Sequence, residues 1–286
     1  MKNFVVRTIS GIVFLLIMLA ALLLGDWFEW GKFVFAAVMM FALIMMMTEF
    51  FRMTMGGLYK ASRVLATIGA CLMFLVTFAE QAYAAVTGRF IALAFIPLFV
   101  VMINSLYVKE KKDFGKFANI YTGILYIGVP WTLLNFAVFD DAQNFNGLML
   151  LCMFIIIWVS DIGAYLVGST LGQKYGPKLF PSVSPHKSWL GCVGGFTAAI
   201  AAGIGMHFIP FLPFADLAWY HCLVIAAVMN IGGVYGDLIE SQWKRHYEVK
   251  DSGTIIPGHG GMLDRFDSAL MAIPAAVVYM MCFNLI

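Results

Sequence analysis

Charge is what this sequence has least of. Asp, Glu, Lys and Arg make up 12% of its 286 residues, while 62% are apolar; an ordinary soluble domain carries about twice that share of charge. A water-soluble core of this length cannot hide so much apolar surface, so a soluble globular fold is excluded. The net formal charge of +2 is too small for a nucleic-acid footprint, and no nucleic-acid partner is expected. Cysteine is scarce as well. Cys71, Cys152, Cys192, Cys222 and Cys282 lie in or beside apolar runs without paired spacing. That excludes a zinc knuckle and a redox dithiol and leaves packing residues. Internal repeats and low-complexity stretches are also missing.

What is present is a series of long uncharged runs, each near the ~20 residues a helix needs to cross the bilayer. They extend from about Ile9 to Leu24, Phe33 to Met47, Val64 to Ala79, Phe90 to Asn104, Ala118 to Val138, Gly147 to Gly168, Leu190 to Ile209, Leu217 to Leu238 and Ser268 to Ile286. This pattern predicts an all-α, polytopic transmembrane bundle of about nine spans. The first run follows Lys2 and Arg7 without a small-residue cleavage pattern after Leu24, and reads as an uncleaved first helix. Nine spans place every one of the 18 Lys and Arg on the N-terminal side of the membrane except Lys32 and Arg89. By the positive-inside rule the N-terminus is cytoplasmic. The expected location is the cell membrane.

The two halves differ. Residues 1–146 read as a scaffold of spans joined by modest loops, with the basic stretch Tyr107 to Lys116 solvated at the headgroups and Glu49 and Arg52 forming an interfacial pair. Residues 147–286 carry two long loops, 169–189 and 239–267, on the cytoplasmic side, and ionisable residues in the spans leading to them. Asp161 and Asp237 stand within or at the ends of apolar runs, where a carboxylate needs a partner. From Asp237 onward follow Glu240, Lys244, Arg245, Lys250, Asp251, His259, Asp264, Arg265 and Asp267. Carboxylates at both ends with cations between suit a phosphate anion held by Mg²⁺, which binds few carboxylates and takes phosphate oxygens besides. Gly258, Gly260 and Gly261 around His259 allow backbone N–H groups to approach phosphate.

Ser241 to Asp267, SQWKRHYEVKDSGTIIPGHGGMLDRFD, resembles the signature of the phosphatidate cytidylyltransferase family. The likeness extends more loosely to Gly236-Asp237-Leu238, to Ser184-Pro185 with Lys187, and to Asp161 with Ala164-Tyr165. It implies a multi-span enzyme, a homodimer, that transfers cytidylyl from CTP to phosphatidate in membrane lipid with Mg²⁺. It further implies Asp237 and Asp264 as metal-binding aspartates, with Lys187, Lys250 and Arg265 sharing the catalytic work. Ser184, Ser241, Lys244, Arg245, His259, Gly260, Gly261 and Asp161 are then substrate-binding. Leu190 stands where the family often has Glu, and Ser160 where Asn is common. The competing readings are a CTP-dependent polyprenol kinase and an ion or metabolite transporter; against the latter, the ionisable residues crowd one face. Topology is testable with single cysteines in a cysteine-free variant. Those replacing Lys112 and Lys178 should be labelled only from the cytoplasmic side and one replacing Gln143 only from the other; same-side labelling of Lys178 and Gln143 would overturn the span count.

Overall fold

The structure, a computed structural model, describes residues 2–83, 93, 95–107, 114–140 and 142–286. Arg89, Lys109, Lys111 and Lys112 of the charge pattern, and the start of the Phe90 to Asn104 run, lie outside the described residues. In chain order the first helices are α1 (Lys2–Trp27), α2 (Gly31–Met55), α3 (Lys60–Ala82), α4 (Ile96–Ser105), α5 (Phe114–Gly123) and α6 (Val129–Thr132). There follow α7 (Gly147–Val167), α8 (Gln173–Tyr175), strands β1 (Lys178–Phe180) and β2 (Ser184–Ser188), α9 (Trp189–His207), α10 (Trp219–His246), α11 (Leu263–Phe266) and α12 (Ala269–Cys282).

Helix dominates because in hydrocarbon it satisfies backbone N–H and C=O groups within its own segment. Among the described residues, seven helical segments are long and apolar enough to cross a membrane: Val5–Trp27, Gly31–Met55, Lys60–Ala82, Phe114–Ala137, Gly147–Tyr175, Trp189–His207 and Trp219–His246. Two of the nine expected runs form shorter apolar helices, α4 and α12. Large apolar side chains such as Ile9, Leu16, Phe99, Leu125 and Phe211 are exposed, as a lipid-facing surface requires. The fold is not purely α-helical, however. Loop 169–189 contains an antiparallel hairpin with Lys178 opposite Ser188 and Phe180 opposite Ser184. Pro177, Pro181 and Pro185 explain it, since each bars the helical hydrogen bond and biases its predecessor to extended backbone.

The chain forms two compact units, residues 1–147 with 247–266, and residues 148–246 with 267–286. Loop 239–267 is thus divided: its beginning prolongs α10, and Tyr247 to Phe266 packs within the first unit. In that unit Phe35, Phe50, Phe51, Phe74 and Trp131 are fully buried. The indole N–H of Trp131 donates to Met39 O at 2.8 Å, which satisfies its one polar atom inside the core. A π-turn at Ile124–Gly128 precedes Pro130, absorbing the hydrogen bond that proline cannot make. In the second unit α10 packs against α9 and α12. A Cβ at Gly236 would lie 2.4 Å from the carbonyl oxygen of Asp267. Only glycine lets α10 run so close to the chain entering α12.

Glu49 gives the first unit its internal anchor. It was expected to pair with Arg52 at the interface; instead it is 5% exposed. Its carboxylate accepts the N–H groups of Met262 at 3.0 Å and Leu263 at 2.9 Å, at the start of α11. Ser252 Oγ stands 3.3 Å away. The correction has a simple cause: an exposed i,i+3 pair is worth a few tenths of a kcal/mol, whereas a buried N–H without an acceptor costs ~1–3 kcal/mol. Glu49→Ala should therefore destabilise the unit by about 3 kcal/mol and open residues 247–266 to proteolysis. Thermal unfolding in detergent with mapping of the cleavage sites checks this, and Glu49→Gln, which keeps an acceptor, should fall between.

Candidate active site

A cavity of about 630 Å³ opens in the second unit. Asp161 of α7, Lys187 of β2 and Asp237 of α10 line it, together with Tyr165, Gln173 and Ser188. Local sequence explains how Lys187 arrives there. Ser188 has extended backbone and its Oγ accepts from Gly191 N at 3.2 Å, capping α9. The hairpin strand therefore ends at the cavity wall with Lys187 just before the cap. Lys187 Nζ stands 2.7 Å from Asp237 Oδ2, the two side chains being 26% and 35% exposed. Ser241, one turn along α10, donates to Asp237 Oδ1 at 3.1 Å. An ion pair this exposed is worth about 0–1 kcal/mol. Lys187 can thus leave Asp237 for a phosphate at little cost.

Lys244 is placed differently. It pairs with Glu240, which is fully buried, and breaking a buried pair from one side costs about 3–5 kcal/mol. That makes Lys244 a structural partner of α10. Its neighbour Arg245 is exposed and its Nε donates to Val183 O at 3.4 Å, bracing the hairpin turn. Ser184 begins β2, opposite Phe180, and is not among the lining residues of the cavity.

Asp267, the last carboxylate of the cluster from Asp237 onward, completes the second unit's acidic group. Desolvation first and nearby Asp237 second push its carboxyl up to about 7; Lys244 pulls the other way and Asp161 adds to the rise. Three carboxylates within electrostatic reach of one another form an excess of negative charge that a divalent cation would relieve. Among the described residues no three His, Cys, Asp or Glu side chains are grouped closely enough to form a ready-made metal cage. This donor set fits Mg²⁺, which keeps waters and takes substrate phosphates beside one or two carboxylates.

The first unit holds the rest of the signature. Asp264 Oδ2 accepts from Gly261 N at 2.7 Å and Ser252 N at 2.9 Å, and Ser252 Oγ lies at 3.0 Å. Gly260 has φ +85°, and a Cβ there would lie 2.7 Å from that same oxygen, so the loop closes only over glycine. His259 Nδ1 stands 3.0 Å from Ser10 Oγ of α1, and Ser10 Oγ is 2.9 Å from Pro257 O. Desolvation, then Arg265 and Arg7, lower the pKa of His259, the sign expected where positive charge gathers. Lys250 and Arg265 are exposed. The structure thus brings Asp161, Lys187, Asp237 and Ser241 together in one unit, and His259, Gly260, Gly261, Asp264 and Arg265 in the other. Neither the role of Glu49 nor that of Ser10 is legible in the sequence, because their partners in this loop lie more than 200 residues away; Ser252, only 12 residues from Asp264, carries no motif that marks it.

The description "Cytidylyltransferase family" matches residues 5–283. A protein of Staphylococcus haemolyticus named phosphatidate cytidylyltransferase is 30% identical over 269 residues, which cover 94% of this chain and 96% of that protein. One from Staphylococcus aureus with the same name is 31% identical over 273 residues, 94% of this chain and 96% of that protein. One from Bacillus subtilis, again so named, is 38% identical over 185 residues, 63% of this chain and 65% of that protein. With a match across nearly its whole length and a signature loop folded around the buried carboxylate of Glu49, this chain belongs to the cytidylyltransferase family.

Proposed function

We propose that the chain transfers the cytidylyl group of CTP to phosphatidate, forming CDP-diacylglycerol and pyrophosphate at the membrane surface. The observation that carries this reading is the partly exposed Lys187–Asp237 pair on the wall of a cavity in an apolar helical unit. Membership of a family with relatives named for this reaction supports it. A phosphatidate oxygen attacks the α-phosphorus of CTP, the bond from that phosphorus to the bridging oxygen breaks, and its electron pair leaves with pyrophosphate. The nucleophile is already anionic, so no side chain needs to remove a proton. The protein's task is to hold two polyanions in line and offset their repulsion.

Lys187 exchanges its carboxylate for a phosphate oxygen, and Ser241 keeps Asp237 oriented meanwhile. We assign Mg²⁺ to Asp237 and, from its place in the signature, to Asp264; the ion supplies positive charge for the departing pyrophosphate. Asp264 Oδ2 is committed to the loop's N–H groups, so its part in holding metal must coexist with a structural one. Lys250, His259 and Arg265 bind phosphate, with Gly260 and Gly261 keeping the turn beside them free of side chains. The same reading includes nine crossings, a cytoplasmic N-terminus and active site, and the plasma membrane as location, supported by the one-sided distribution of Lys and Arg. A homodimer rests on the family resemblance alone.

The purified full-length chain with labelled CTP, phosphatidate and Mg²⁺ should yield CDP-lipid and pyrophosphate in equal amounts. EDTA should abolish the reaction and added Mg²⁺ restore it. Asp237→Asn should lower turnover at least about 100-fold while insertion and thermal unfolding stay near wild type. If phosphatidate gives no CDP-lipid while a polyprenol yields CDP and polyprenyl phosphate, the chain is a kinase. Normal turnover in Asp237→Asn would remove the metal assignment.

A further inference from the structure

In the first unit α2 and α3 are joined by a short turn in which Gly56 has φ +60° and Tyr59 φ +54°. The turn brings Arg52, in the last turn of α2, to the same end as Lys60 and Arg63 at the start of α3. Glu49, the carboxylate beside them in sequence, is turned into the core and bonded to Met262 and Leu263. Among the described residues, Arg52, Lys60 and Arg63 form no ion pair. Arg63 Nη1 donates to the carbonyl of Gly56, which holds its guanidinium at the turn.

From this end a groove of about 580 Å³ runs between the two helices. Lys60 and Arg63 stand at its mouth, and Ile44, Val64, Ile68 and Leu72 line its length. Val64, Ile68 and Leu72 are 51%, 48% and 40% exposed. The groove's two threonines have no donor left for a ligand, because Thr48 donates to Ile44 O at 2.7 Å and Thr67 to Arg63 O at 2.9 Å. From Arg63 to Leu72 the helix rises about 14 Å. A free anion would use only the mouth, and a neutral acyl chain only the floor. An amphiphile with an anionic head uses both.

We propose that this groove is a binding site for an anionic phospholipid, with its phosphate against Lys60 and Arg63 and an acyl chain along Val64, Ile68 and Leu72 opposite Ile44. The site belongs to the scaffold side of the chain and takes no part in the transfer reaction proposed above. Arg52 adds positive potential at the mouth, and each such cation strengthens binding of an anionic lipid by about fivefold.

Native mass spectrometry tests this directly and does not read activity. The full-length chain is released from micelles holding equal amounts of phosphatidylglycerol and phosphatidylethanolamine with identical acyl chains. Wild type should retain phosphatidylglycerol at least about fivefold over phosphatidylethanolamine. The double variant Lys60→Gln, Arg63→Gln should bring the ratio near one. Ile68→Trp, which fills the floor and leaves both cations, should reduce retention of both lipids, and it keeps the test valid if the double variant misfolds. Millimolar inorganic phosphate should displace neither. Equal retention by wild type, or an unchanged ratio in the double variant with only a lower melting temperature, would overturn the proposal in favour of cations that merely cap α2. Displacement by inorganic phosphate would overturn it in favour of a plain anion site. Conversion of dimer to monomer by Ile68→Trp with no loss of lipid would assign the groove to a second copy of the chain.

Discussion

An ionised carboxylate removed from water must be surrounded by donors or cations, and this chain meets that requirement in two ways. Glu49 and Asp264 are surrounded by backbone. Glu49 takes the N–H groups of Met262 and Leu263, and one oxygen of Asp264 takes those of Ser252 and Gly261. Backbone donors cannot leave, so both oxygens of Glu49 and Oδ2 of Asp264 hold residues 247–266 in shape. Without them the glycine turn would have no fixed form, because glycine contributes no side chain to pack and gives up the most conformational freedom on ordering.

Asp237 is surrounded by groups that can move. Its partners are a hydroxyl and a lysine, both side chains of the Lys187–Asp237 pair being partly exposed. Asp161 and Asp267 lie within electrostatic reach, and burial first, with Asp237 second, raises the pKa of Asp267. Carboxylates held this close to one another raise the cost of ionising each of them. The contrast between Glu240–Lys244 and Lys187–Asp237 makes the same point among ion pairs. The first is buried and fixes α10; the second is partly exposed and exchangeable.

Much of this was legible in the sequence, for a physical reason. In a chain with so little charge each ionisable residue stands out, so Asp161, Lys187 and Asp237 could be picked as a group, and the structure places all three on one cavity. Apolar runs likewise marked the helices, because length and hydropathy decide what can cross hydrocarbon. What could not be seen were partnerships across long sequence separation. Glu49 was paired with Arg52 because they are neighbours in sequence, and nothing in either residue points to a backbone amide 213 positions away. The hairpin at Lys178 to Ser188 was hidden for a different reason: its three prolines mark a break in helix without saying which extended partner will form.

The division of the signature follows from the same distinction. Asp264 and Asp267 are three residues apart, yet the first belongs to the unit built on α1 to α6 and the second to the unit built on α7, α9, α10 and α12. One turn of chain therefore carries an anion committed to backbone and an anion left near other carboxylates. Gly236 is what permits the second placement, since any larger residue would push α10 off the carbonyl of Asp267 and move Asp237 with it. A contiguous stretch of sequence in this way contributes to both cores.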